Sequence, residues 1–275
     1  MKAEKFLTKA LSYFLLGIML VITLFPLYWI LVTSFKTLPE IYTINPRFWP
    51  SKPGLHGYET LFEKTDFILW VRNSAIVALI VSVGSITLSI AAAYGLSRFR
   101  FKGKGLIGVM IFIAYLLPEA LLFIPIYILM SRMGLSQRMA GLIFVYPSIV
   151  IPYATWVLTS YFRTLPVEIE EAALIDGCSR LGVMRHITLP LASPGVISTF
   201  IFSFTLCWSE YIYALVILSG KSQTLPLGLS GLIVGDIPPW NVIMAGAIMS
   251  SIPIVILYLI SSKYIVTGLT LGGVK

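Results

Sequence analysis

The sequence predicts an all-α integral membrane protein, and three observations carry that prediction. The chain is 57% hydrophobic and only 12% charged, which leaves too few polar groups to cover a soluble surface. Its apolar residues come in long blocks rather than at the period of half-buried elements. Six of these blocks reach the roughly 20 residues that a helix needs to cross a hydrocarbon core about 30 Å thick. The segments of a membrane β-barrel would instead alternate apolar and polar residues over about 10 positions.

The predicted spans cover approximately residues 11–35, 73–96, 106–130, 140–162, 191–218 and 242–260. Lys2, Lys5 and Lys9 precede the first block, as in a secretory signal. The block exceeds the roughly 7 to 15 residues of a signal core and lacks a small-x-small cleavage site, which favours an uncleaved first helix. Basic residues set the orientation. With a cytoplasmic N-terminus, the inner side holds 12 of the 20 Lys and Arg residues and the outer side the other 8, five of them in one loop. The positive-inside rule therefore predicts that both termini are cytoplasmic. The stretch SRFRFKGKG at 97–105 is the strongest pin for this topology and reads as a topogenic, lipid-facing charge cluster.

Between the first two spans, loop 36–72 is rich in Pro, aromatic and charged residues and is expected to form an ordered extracytoplasmic cap. Residues 1–72 are thus read as an N-terminal span plus outer loop, 73–265 as a five-helix core, and 266–275 as a cytoplasmic tail. In the third and fourth spans, Pro118, Pro125, Pro147 and Pro152 are expected to interrupt the helices, which membranes tolerate where protein or a wet cavity satisfies the freed carbonyls. Two carboxylates lie within predicted spans, Glu119 beside Pro118 and Glu210 in the fifth. Burying each should cost roughly 3 kcal/mol, so both are expected to face the bundle interior or water. With Trp208, Ser209 and Tyr211 they form a candidate translocation path suited to ring-shaped, hydroxyl-rich solutes. A carboxylate hydrogen-bonded to a neighbouring helix is the alternative. A second outer loop, 219–241, carries Pro238 and Pro239 and is either a contact surface or a plain connector.

The inner segment 163–190, RTLPVEIEEAALIDGCSRLGVMRHITLP, departs from membrane-like composition. Pro166 can start a helix whose first turns hold Glu168, Glu170 and Glu171, where carboxylates suit the helix dipole. Gly177 supplies a break. Leu181, Val183, Met184 and Ile187 then give one apolar side to a second short helix, which Pro190 is expected to end. The segment reads as a helix-turn-helix on the inner membrane face, either a surface hairpin or a docking element.

Glu171-Ala172-Ala173, Asp176-Gly177 and Ile187-Thr188-Leu189-Pro190 resemble the EAA loop of binding-protein-dependent ABC importer permeases, both in residues and in spacing. The resemblance extends toward carbohydrate-uptake permeases, in particular the smaller subunit of maltose-type importers. It is carried by WVRNSAIVA at 70–78, AAAYGLSRFRF at 91–101, IPIY at 124–127, WSEY at 208–211, TLPLG at 224–228 and GLTLGGVK at 268–275. Ser209 and Tyr211 stand where that family often has Asn and Phe.

The resemblance implies a six-helix permease in the cell membrane that forms half of a pore with a second permease subunit. Two ATPase subunits beneath it would hold ATP and Mg, and an extracytoplasmic solute-binding protein would deliver a sugar, with no cofactor on this chain. Glu171, Ala172, Ala173, Asp176, Gly177, Leu189 and Pro190 would then couple the pore to the ATPases, since small residues let a helix approach a partner closely and Glu171 offers a charge-assisted hydrogen bond. A non-sugar solute such as glycerol phosphate stays open. So does a proton-coupled secondary transporter using Glu119 and Glu210, although no internal repeat supports it.

Other chemistry finds no support in the sequence. Gly220-Lys221-Ser222 resembles the end of a phosphate-binding loop, but Leu215 occupies the position of the required upstream Gly. His56 and His186 fall on opposite predicted faces, so no metal pair is expected, and Cys178 and Cys207 form no CxxC motif. Splitting the net charge of +8 between two membrane faces argues against a nucleic-acid partner.

Overall fold

A computed structural model of the chain describes the backbone of residues 2–272 and the side chains of residues 9–262. The charges on Lys2, Lys5, Lys263 and Lys275 and the tail expected at 266–275 lie outside the residues described with side chains. Among the described residues the regular structure is entirely helical. The elements are α1 (Lys2–Ser34), α2 (Leu38–Ile41), α3 (His56–Lys64), α4 (Phe67–Arg98), α5 (Lys104–Leu116), α6 (Glu119–Arg132), α7 (Met139–Val145) and α8 (Pro147–Thr164). They continue with α9 (Val167–Ile175), α10 (Arg180–Val183), a π-helical turn (Met184–Thr188), α11 (Leu189–Leu191), α12 (Ser193–Ser209), α13 (Ile212–Ile217), α14 (Leu225–Ser230) and α15 (Trp240–Gly272).

Four stretches are long and apolar enough to cross a membrane: Lys9–Ser34, Phe67–Arg98, Met139–Thr164 and Trp240–Ser262. Two further pairs qualify only jointly, Lys104–Leu116 with Glu119–Arg132, bent by 93°, and Arg180–Leu191 with Ser193–Ser209, bent by 79°. Of the proline interruptions expected in the 106–130 block, the one at Pro118 is present and divides the block into two helices. Proline has no N–H and pushes its predecessor out of the helical region, and Leu117 accordingly sits at φ −66°, ψ 125°. Pro147 occupies the first turn of α8, where a missing N–H removes nothing. Pro125 and Pro152 were expected to interrupt their helices, yet both lie inside continuous ones. The block expected at 191–218 is also divided. Helix α12 stops where Glu210 turns extended at ψ 135°, and the chain resumes helix at Ile212.

The chain forms two compact units, residues 1–67 with 229–252 and residues 68–228 with 253–275. In the first, α1 leads into a loop held by specific polar contacts. Lys36 Nζ donates to Arg47 O at 2.6 Å and lies 4.2 Å from the centre of the Trp29 ring. Glu40 Oε1 accepts from Ser51 N at 2.7 Å and from Ser51 Oγ at 2.9 Å. Tyr28 Oη donates to Phe48 O at 2.6 Å, and Tyr42 Oη to Pro238 O at 2.9 Å. Gly57 is fixed by space, because a Cβ there would stand 2.7 Å from Asn241 O.

The second unit is organised around α8, on which α5 and α12 pack, while α13 packs on α6. Along α4, Ser74, Ala78, Ser82, Ser85, Ser89 and Ala93 are buried at three- and four-residue spacing, a small-residue stripe that lets membrane helices approach closely. Ala93, Tyr94, Leu158, Phe162 and Ala192 form a buried cluster at one end of the bundle. At the other end, Asn73 Nδ2 donates to Lys221 O at 3.0 Å and Gln223 O at 2.9 Å, and Ser74 Oγ accepts from Leu225 N at 2.8 Å. Nearby, the Cβ position of Gly228 lies only 2.1 Å from the Trp70 ring, so α14 can dock there only with glycine.

Candidate functional site

The 163–190 segment folds as a hairpin whose turn chemistry follows from its residues. Pro166 caps α9, and Gly177 takes φ +89°, a left-handed conformation that side-chain-bearing residues rarely adopt. Ser179 Oγ then accepts from Gly182 N at 3.1 Å and starts α10. The second arm departs from expectation. Pro190 does not end it: the chain passes through the π-helical turn, with Leu189 N–H bonded to Met184 O, and continues through Pro190 in α11 to the bend at Ala192. The proline is accommodated because it sits in the first turn of α11, where its missing N–H is not required.

What fixes the hairpin is a buried ion pair that the sequence reading left unassembled. Glu170, 5% exposed, accepts at Oε1 from Arg98 Nε at 2.9 Å and from Thr188 Oγ1 at 3.0 Å. Arg98 Nη2 also lies 2.9 Å from Oε1, both side chains being 6% exposed. Tyr94 Oη donates to Oε2 at 3.3 Å, and Arg98 Nη2 donates to Leu165 O at 3.3 Å. Arg98 therefore departs from the lipid-facing role expected for the whole 97–105 cluster. One carboxylate ties α4, α9 and the π-helical turn together. Next to Glu170, the coupling candidates Glu171 and Ala172 are exposed, as are Asp176, Gly177 and Pro190, while Ala173 and Leu189 are half-buried. A cavity of about 780 Å³ runs beside α9, lined by Arg98, Arg100, Lys104, Glu170, Glu171 and Arg180 among others.

The candidate path residues are not all brought together. Glu119, in the first turn of α6 just after the break, lines a cavity of about 340 Å³ with Tyr115, Ser148 and Tyr213. Trp208, Ser209, Glu210 and Tyr211 do not line it. Glu210 is 7% exposed, and all its contacts are internal: Tyr146 Oη donates to Oε2 at 2.6 Å, Tyr213 N to Oε1 at 2.7 Å and Ala214 N to Oε2 at 3.2 Å. It holds the start of α13 to α7 and α8. Trp208 is buried and stacks on Phe204 with ring centres 5.7 Å apart, Ser209 Oγ donates to Thr205 O at 2.8 Å, and Tyr211 is 37% exposed.

Long apolar helices, a bent pair divided at Pro118, a helix end at Glu210 closed by internal polar groups and an anchored hairpin with an exposed Glu-Ala face describe a helical membrane protein. The family follows from comparison. Residues 85–270 match the binding-protein-dependent transport system inner membrane component family, and the chain belongs to it. It is 38% identical over 263 residues to the inner membrane ABC transporter permease protein YcjP of Escherichia coli (strain K12), covering 94% of each chain. It is 34% identical over 263 residues to the trehalose/maltose transport system permease protein MalG of Thermococcus litoralis, again covering 94% of each. Its fold matches a solved bacterial ABC transporter involved in the import of the acidic polysaccharide alginate, with TM-score 0.80 and 22% identity over 94% of this chain and 96% of that one. The chain is thus a multi-pass membrane permease subunit of an ABC transporter and not itself an enzyme.

Proposed function

We propose that this chain is one of two pore-forming permeases of an ATP-driven importer that takes up a di- or oligosaccharide delivered by an extracytoplasmic binding protein. In this reading the bent pair Lys104–Leu116 with Glu119–Arg132 is one span and Ser193–Ser209 with α13 belongs to another, giving six. Both termini and the 163–190 hairpin then face the cytoplasm, where two separate ATPase subunits bind ATP and Mg. The similarity to a trehalose/maltose transport system permease supports a sugar as solute. The family description supports a binding protein as partner.

The observation that carries the coupling role is the split on α9. Glu170 is locked inward by Arg98 and Thr188, whereas Glu171 on the same helix points to solvent. A helix fixed to two membrane-embedded stems and free on its opposite face transmits a push without slack. Glu171, Ala172, Ala173 and Asp176 would meet the ATPase, Gly177 would hold the turn, and Leu189 and Pro190 would join the hairpin to α12. ATP-driven closure of the ATPase pair would favour one pore conformation by differential contact with this face. Glu119 would contact solute, a reading supported by its position on the wall of a cavity that also holds Tyr115, Ser148 and Tyr213.

The test is ATP hydrolysis by the chain co-purified in lipid with its permease and ATPase partners, with and without sugar-loaded binding protein. Stimulation by loaded binding protein in the wild type that Glu171→Ala loses supports the reading. Sugar uptake driven by a proton gradient without ATP would overturn it.

A further inference from the structure

A slot of about 510 Å³ opens between the start of α5 and the end of α8. Its wall changes character along its length. At one end stand Lys104 and Arg163, then the hydroxyls Thr159 and Ser160, and at the far end Val109, Phe112 and Trp156. The two helices supply this gradient together. Arg163 to Trp156 spans seven residues of α8, and Lys104 to Phe112 spans eight of α5, each about 10–12 Å at 1.5 Å per residue. Among the described residues no Asp or Glu lines the slot. The positive end therefore has no internal counter-charge there, and Lys104 spends one of its three protons on Phe99 O at 3.0 Å. Thr155 is 1% exposed and also lines the slot, and its Oγ1 has no hydrogen-bond partner among the described residues. Gly105 and Gly108 leave the room: a Cβ at either would meet nothing within 4 Å.

We infer that this slot binds one anionic phospholipid of the inner leaflet, its phosphate between Lys104 and Arg163 and an acyl chain along Gly108, Val109, Phe112 and Trp156. The chemistry at each level agrees with that occupant. Two cations without a carboxylate partner attract a phosphate. Thr159 Oγ1 and Ser160 Oγ already donate to Thr155 O at 2.6 Å and Trp156 O at 3.1 Å, so the donor left for a glycerol ester oxygen, which is an acceptor only, is Thr155 Oγ1 on the same wall. Below it, apolar walls receive hydrocarbon. A protein segment would have to bring both an acid and a long apolar chain to one narrow slot, whereas the bilayer supplies both in a single molecule. Lys104 also lines the cavity beside α9, so a lipid held here would sit next to the hairpin and stiffen the packing of α5 on α8, the helix that α12 also contacts. The inference rests on the proposed topology, which puts this end of α5 and α8 at the inner face.

The test uses the full-length chain, purified with its co-purifying subunits and titrated with phosphatidylglycerol or phosphatidylcholine, with bound lipid counted by native mass spectrometry. Phosphatidylglycerol is expected to be retained about tenfold more than phosphatidylcholine. Lys104→Gln with Arg163→Gln is expected to abolish the preference while leaving weak retention of both lipids. Gly108→Leu, which fills the slot without a backbone clash, is expected to remove both. Equal retention of the two lipids by the wild type, or an unchanged preference in the double variant, would overturn the inference. So would release of the second permease by Gly108→Leu with lipid retention unaltered, since the slot would then be a protein interface. Failure of the transport reading looks different: lipid preference would persist while binding-protein-stimulated ATP hydrolysis was absent.

Discussion

Glu170 and Glu210 are both buried carboxylates at helix ends, and they are satisfied in opposite ways. Glu170 is paired with a cation 72 residues away, Arg98, and backed by Thr188 and Tyr94. Among the described residues Glu210 has no cation as a hydrogen-bond partner and is held by the Tyr146 hydroxyl and by N–H groups in the first turn of α13, three and four residues on. The first arrangement joins elements far apart in the chain and makes the hairpin one body with α4. The second is largely local and repairs the backbone where α12 stops. A charge pair therefore marks where distant elements are joined, and a helix-end carboxylate marks where one helix stops and the next begins.

The largest expected effect comes from Arg98→Ala, which leaves Glu170 buried without its cation. A loss of about 3–5 kcal/mol is expected, read as a large fall in thermal stability of the detergent-solubilised chain. Replacing both partners with Met is expected to restore most of it, and a double variant as unstable as the single one would break the assigned pairing. Glu210→Ala should cost less, about 2–3 kcal/mol, because it orphans neutral donors rather than a charge. Glu210→Gln keeps an acceptor and should cost roughly half as much. If Glu210→Ala proved the more damaging of the two, the contrast between the sites would collapse. Glu171→Ala, one residue from Glu170 but exposed, should change stability by no more than about 0.5 kcal/mol and act on coupling alone.

The smallest effect concerns a third carboxylate, Glu40, in the first unit. Slight burial opposes its ionisation, but the bonds from Ser51 N and Oγ and the nearby Lys36 and Arg47 charges outweigh it and hold the carboxyl below its ordinary value. A depressed folded-state pKa contributes stability that is present above the unfolded value of about 4.3 and is lost as pH falls below it. Protease protection of residues 36–52 is therefore expected to weaken on acidification below about pH 4, and Glu40→Gln should weaken it at neutral pH.

Hydrophobic block length made the helices legible, because nothing but a membrane span explains some 20 apolar residues in a row. The same signal could not show where spans break. Four prolines look alike in the sequence, yet only Pro118 divides a span, since the others are accommodated by a helix start or by tolerance within one. Glu210 was legible as an intramembrane carboxylate, but its partners, Tyr146 and two backbone N–H groups, depend on tertiary contact. Glu170 read as an ordinary first-turn acid because its cation is 72 residues upstream. Two stretches of the family resemblance, WVRNSAIVA and TLPLG, proved to be halves of one latch, with Trp70 against Gly228 and Ser74 against Leu225. One cue for Glu170 was available: Arg98 is the member of the basic cluster nearest the apolar span, a buried cation there needs an anion, and the chain has only 12 Asp and Glu residues.

The π-helical turn at Met184–Thr188 behaves like one extra tooth in a gear train. A helix advances about 100° per residue, so the added residue sets the angular phase between the hairpin and α12. Deleting a single residue there would leave every apolar and charged side chain present but rotate the exposed Glu-Ala face by more than a quarter turn and carry Thr188 away from Glu170. Point substitutions in this arm should be absorbed far more readily than any change in its length.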